Sequence, residues 1–149
     1  MLDADAPVLY VATARGVDPG VDPEWADRVA VHRARRPAGW RTVEDADLPA
    51  VLDAHPGDPV LVDDLATWVT GLLVDAGWER DAARASLTAA VGRFPGALVL
   101  VSAEVGLGVV PSTSAGRRFR DELGAVNQAL AAVSDEVWLL VAGVPLRLR

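Results

Sequence analysis

"PVLVDDLATWVTGLLVDAG" (59–77) sets a short apolar run, closed by two aspartates, directly before a segment with apolar residues at helical spacing. An apolar run of this length between turn-forming residues reads as a strand buried on both faces, over 59–64. The segment after it reads as a helix, over 65–77. One strand–helix unit decides little, but recurrence of the unit specifies an α/β fold with a largely parallel sheet.

The unit recurs on both sides. "PVLYVAT" (7–13) reads as a buried strand, and "DPEWADRVAVHRAR" (22–35) as a helix opening with Asp and Pro. "DLPAVLDAH" (47–55) reads as a short helix, "ERDAARASLTAAVGRF" (79–94) as an amphipathic one, and "GALVLVSAE" (96–104) as a third strand. The loop "VGLGVVPSTSAG" leads into a helix over 117–135, and "EVWLLVAG" with "VPLRLR" reads as a terminal strand pair or hairpin around Gly143. No linker or repeat divides the chain, so residues 1–149 are read as one domain.

Composition narrows the function. Hydrophobic residues make up 51% of the chain and charged residues 23%, as in a soluble globular protein. The longest apolar runs are too short for a membrane span, and the acidic N-terminus "MLDADAP" lacks the pattern of a secretory signal. With no cysteine, disulfides and thiolate chemistry are excluded, and a cytoplasmic location is expected. A net charge of −7 argues against nucleic-acid binding. All 14 basic residues are arginine, and two basic islands, Arg28–Arg41 and "GRRFR" (116–120), break the acidic pattern. Arginine suits phosphate because its planar fork offers paired donors. The absence of lysine forbids a G-x-x-x-x-G-K-S/T phosphate loop within these residues.

Three local patterns could carry chemistry. Asp63, at the end of an apolar strand, stands where α/β nucleotide hydrolases place a carboxylate near Mg²⁺, although Asp63 or Asp64 could equally cap the next helix. "SAEVGLGVVPSTSAGRRFRD" (102–121) is a ligand-binding loop at a strand's carboxyl end, or a flexible lead into the last long helix. His32 shares a helical face with Arg28 and Arg36. A neutral imidazole there could attack phosphorus while arginines hold phosphate oxygens. On spacing alone, a surface histidine at a basic helix end is the simpler reading. His55, between turn residues, reads as structural. The five tryptophans are spread out and read as packing residues, with Trp40 alone inside the basic segment.

Taken together, "VLYVATA", the H-x₃-R-P-x₂-W-x-T-x-E run from His32 to Glu44, "LVDDLATWVTGLL" and the E-V-G-x-G-V-V-P loop resemble one family. It is the bifunctional adenosylcobinamide kinase/adenosylcobinamide-phosphate guanylyltransferase family of cobalamin biosynthesis. The resemblance implies a RecA-like, P-loop-type three-layer fold. It implies phosphorylation of adenosylcobinamide, then transfer of GMP from GTP through a GMP–histidine intermediate.

Residue by residue, the resemblance makes His32 the nucleophile. It makes Ala12, Thr13, Ala14, Arg33, Ala34, Arg35, Arg36, Glu44 and Asp63 nucleotide contacts, with Asp63 also the Mg²⁺-side carboxylate. The implied ligands are adenosylcobinamide or its phosphate, GTP or ATP, and Mg²⁺, and the implied assembly is a homotrimer. The family pattern also carries a first strand, a G-G-x-R-S-G-K-S phosphate loop and a first helix before the segment equivalent to "VLYVATA". This sequence begins just upstream of that segment, so those three elements are expected to be missing. Kinase activity is then not expected of the chain alone, and a non-catalytic nucleotide- or corrinoid-binding subunit is the competing expectation.

Overall fold

The computed structural model describes residues 6–14, 22–45, 47–74 and 79–149. The expected helix residues 75–77 and Trp78 lie outside them. In chain order the elements are β1 (Leu9–Ala12), α1 (Pro23–Ala34), β2 (Arg41–Glu44), α2 (Leu48–Ala54), β3 (Val60–Asp63) and α3 (Leu65–Val74). They are followed by α4 (Arg80–Arg93), β4 (Leu98–Leu100), α5 (Ser114–Val133), β5 (Trp138–Val141) and β6 (Val144–Arg147).

Four strands form one sheet in the order β2-β1-β3-β4, with every neighbouring pair parallel. The α/β class and the parallel sheet are therefore as expected, in an arrangement consistent with a RecA-like, P-loop-type fold. β2 was not expected. "RTVE" is too polar to read as a buried strand, but it occupies an edge, where only Val43 packs against the core.

Register sorts the sheet's residues between its two faces. In parallel, in-register strands, residues paired across the ladder point to the same side. Leu9, Val11, Val43, Val60 and Val62 face one side and join the core with buried residues of the helices α2 to α5. The helix α3 shows why: Leu65, Trp68, Val69 and Leu72 recur at one face's spacing and are all buried. α5 contributes Leu123, Val126 and Leu130 in the same way. The opposite face carries Tyr10, Ala12, Thr42, Glu44, Leu61 and Asp63, and α1 reaches it through His32, with Arg36 just past the helix end. That helix buries no residue fully.

Among the described residues, four of the five helix starts follow from side-chain caps, that of α4 being the exception. Asp22 accepts from the Trp25 amide at 2.9 Å and Asp47 from the Ala50 amide at 3.2 Å, each with proline in the first turn. Asp64 Oδ1 accepts from the Thr67 amide at 2.8 Å at the start of α3. Thr113 caps α5 by accepting from the Gly116 amide at 3.1 Å, so that helix opens at Ser114 rather than at 117. β5 and β6 pair antiparallel around Ala142 (φ 51°) and Gly143 (φ 79°), the positive-φ pair of a tight hairpin turn, as expected around Gly143. Among the described residues no helix is long and apolar enough to cross a membrane.

Candidate active site

Parallel register lines up Glu44, Ala12 and Asp63 in one row at the carboxyl edge, with Thr42, Tyr10 and Leu61 in the row below. Ala12, between two carboxylates, contributes only a methyl group, and Tyr10 below it reaches up to the edge. Its hydroxyl donates to Asp63 Oδ2 and lies 3.2 Å from His32 Nδ1. His32 Nδ1 itself stands 3.4 Å from Asp63 Oδ2. Two expected residues far apart in sequence thus meet through a third.

Arg36 completes this group, but not from the helical face shared with Arg28. The helix ends at Ala34, and the chain then turns back over the sheet. The Arg36 guanidinium stacks 3.7 Å from the Tyr10 ring centroid and donates from Nη1 to Thr42 Oγ1 at 3.0 Å. Its Nε is buried with no hydrogen-bond partner among the described residues. Arg28 instead pairs with Glu24 at 2.8 Å. Trp40 approaches the same phenol, its ring centroid 6.2 Å from that of Tyr10.

The remaining expected contacts divide. Arg33 and Glu44 form an ion pair with each other, which draws α1 onto β2. Thr13 is buried and joins the ends of β1 and β3: its hydroxyl donates to the Asp64 carbonyl at 2.6 Å and accepts from the Asp64 amide at 3.0 Å. It also meets the Thr67 hydroxyl. Ala12 is buried and Ala14 half-buried beside it, whereas Ala34 and Arg35 are exposed at the end of α1 and stand outside this contact network.

The environment of Tyr10 keeps its hydroxyl protonated. Burial pushes its pKa well above the ordinary value near 10, the Asp63 hydrogen bond and negative charge push it further, and Arg36 opposes them only in part. The signal for Tyr10 in sequence is faint: one hydroxyl in a strand otherwise read as apolar. His55 is structural as expected, its Nδ1 lying 3.1 Å from Asp58 Oδ2, which also accepts from Arg41 at 2.6 Å. Of the tryptophans, Trp68 packs in the core, but Trp138 is 45% exposed and stacks under Arg147 instead. It lies on the hairpin, outside the core cluster.

The loop after β4 is held at its root by α5. Ser102 Oγ donates to Asn127 Oδ1 at 2.6 Å, and Asn127 Nδ2 donates to the Ala103 carbonyl at 3.1 Å. Glu104 folds back to accept from the Gly106 amide at 2.5 Å, and a Cβ on Gly106 would meet that carboxylate at 2.7 Å. Arg117 donates to the carbonyls of Pro111 and Ser112, at 3.1 and 2.7 Å, closing the loop onto the start of the helix.

No group of three His, Cys, Asp or Glu side chains converges as a metal site among the described residues. Mg²⁺ does not need such a cage, since it is commonly held by one or two carboxylates with water and substrate phosphates. Asp63 fits that limited role, because Tyr10 engages only its Oδ2.

An α/β protein with a histidine, a tyrosine and a carboxylate gathered at the carboxyl edge of a parallel sheet is the class this geometry defines. The chain belongs to the CobU family, cobinamide kinase / cobinamide phosphate guanyltransferase, which it matches over residues 1–148. It is 44% identical over 146 residues to the bifunctional adenosylcobalamin biosynthesis protein CobP of Pseudomonas aeruginosa, covering 95% of this chain and 82% of that protein. It is 40% identical over 166 residues to the bifunctional adenosylcobalamin biosynthesis protein CobU of Salmonella typhimurium, covering 99% and 90%. The CobU protein of Escherichia coli is 40% identical over 159 residues, covering 95% and 86%.

Proposed function

We propose that this chain transfers GMP from GTP to adenosylcobinamide phosphate, in the cytoplasm, through a GMP–histidine intermediate on His32. The observation that carries the reading is the setting of His32. Its side chain is 56% exposed, so a nucleotide can reach it, while the ring is anchored beside Asp63 at the sheet's carboxyl edge.

Chemically, a ring nitrogen of His32 attacks the α-phosphorus of GTP. The N–P bond forms as the bond from the α-phosphorus to the bridging oxygen breaks, and pyrophosphate leaves with that electron pair. A phosphate oxygen of adenosylcobinamide phosphate then attacks the same phosphorus, the N–P bond breaks, and the histidine is regenerated. Arg36 has donors left beyond its Thr42 bond, which supports a role in holding phosphate oxygens and offsetting the charge that develops on them; Arg33 and Arg35 take the same role in this reading by family resemblance. Asp63 would hold Mg²⁺ through Oδ1, where the ion would neutralise the leaving pyrophosphate. The 149 residues contain no lysine, so they supply no P-loop lysine for a kinase step. The step proposed here is guanylyl transfer, to which His32 belongs. By family resemblance the assembly is a homotrimer.

The test is covalent labelling. Incubation with GTP labelled at the α-phosphate is expected to leave an acid-labile, base-stable adduct on the protein, and His32→Asn is expected to abolish it. A well-folded wild type that takes no label refutes the reading and leaves the non-catalytic binding subunit in its place.

A further inference from the structure

We infer that Tyr10 is a positioning residue for the His32 nucleophile, fixing which ring nitrogen carries the free lone pair; this rests on the proposed guanylyl transfer. The proton count among three atoms decides it. The Tyr10 hydroxyl contacts both Asp63 Oδ2 and His32 Nδ1, the latter at 3.2 Å, and has a single proton to give. A carboxylate is the stronger acceptor and offers no proton of its own, so the Tyr10 proton goes to Asp63. The phenol oxygen can then only accept toward the imidazole. Nδ1 must be the protonated nitrogen, and Nε2 in the neutral ring is left with its lone pair.

This arrangement does for His32 what an orienting carboxylate does for a catalytic histidine elsewhere, with a phenol inserted between the two. It also prepares for the charge that attack creates. When Nε2 bonds to the α-phosphorus and pyrophosphate departs, the ring keeps its Nδ1 proton and becomes cationic. That charge forms with Asp63 Oδ2 3.4 Å from Nδ1. When the acceptor phosphate displaces the histidine, the electron pair of the N–P bond returns to Nε2 and the ring is neutral again, with the Nδ1 proton never having left. Arg36, stacked on the Tyr10 face at 3.7 Å, and Trp40, with its ring centroid 6.2 Å away, flank the phenol ring; a guanidinium only donates, so its approach leaves the Tyr10 proton with Asp63.

Tyr10→Phe removes only the hydroxyl and keeps the ring for Arg36 and Trp40. In single-turnover labelling with α-phosphate-labelled GTP, the variant is expected to form the His32 adduct roughly ten- to a hundredfold more slowly at saturating GTP, the scale on which losing an orienting partner costs a ligating or catalytic group. Half-saturating GTP is expected to stay within about twofold, a split that a merely structural defect would not produce. Nitrogen-15 spectra of histidine-labelled protein, assigned with His55→Gln, are expected to show the Nδ1–H tautomer at His32 in the wild type and its loss in Tyr10→Phe. Labelling of the variant at the wild-type rate, or an Nε2–H tautomer in the wild type, overturns the inference. Absence of label on wild-type protein overturns the guanylyl-transfer reading itself, and the tautomer measurement still decides the placement of the proton.

Discussion

Tyr10 is the one tyrosine of the chain, so its ionisation has a signal of its own. Below about pH 10 the hydroxyl is protonated in folded and unfolded chain alike. Above it, the unfolded chain releases the proton while burial and Asp63 keep it on the folded protein. The stability that Tyr10 contributes is thus fully present below the ordinary value and is lost as pH rises beyond it. Absorbance at 295 nm is expected to show no tyrosinate in the folded protein at pH 10.5 and to rise when urea is added. Tyrosinate appearing near pH 10 without unfolding would contradict the buried, Asp63-bound hydroxyl. Much of the site was legible at this scale: His32, Asp63 and Arg36 meet, as the motifs led one to expect. The link between them was not, because Tyr10 looks like any core residue of an apolar strand until register places it two residues below Asp63. Arg36 is expected on the helical face of Arg28 and His32, but Pro37 after it disfavours the helical conformation there, and the helix ends at Ala34. The pairing of Arg33 with Glu44 depends on β2, a strand whose sequence does not announce itself.

Elements were easiest to read where one face is wholly apolar. β1 and β3 are buried on the core side by Leu9, Val11, Val60 and Val62, and α3 by a full stripe, so runs and spacing suffice. β2 failed that test because an edge strand needs only one core residue, here Val43. The start of α5 moved upstream because Thr113 supplies a cap that loop composition concealed. The hairpin turn was marked by Gly143, but the left-handed conformation of Ala142 before it was not. A side chain with a Cβ is disfavoured there, and asparagine tolerates it better than alanine. Ala142→Asn is expected to stabilise the protein by about 0.5–1 kcal/mol, read as a higher urea midpoint at unchanged slope. An unchanged or lowered midpoint would mean that the turn relaxes in solution.

Across the whole molecule, the core lies on one face of the sheet, and the apolar side chains left outside it are concentrated. Trp138, Leu140, Val141, Val144, Leu146 and Leu148 are exposed on and just after the hairpin, and Leu107, Val109 and Val110 on the loop. Apolar exposure this dense is uncommon on an isolated soluble surface, and it accords with the homotrimer proposed from the family. Light scattering on the purified protein is expected to give three chain masses at micromolar concentration; a single chain mass would refute the trimer. The Asn127 bridge gains weight on this scale. A side-chain amide that takes Ser102 on one side and the Ala103 carbonyl on the other leaves no slack between α5 and the loop's root. The same helix leads on toward the hairpin. An axial shift of the helix at its hairpin end would therefore be expected to carry the root of the loop with it, about 10 Å of helix away.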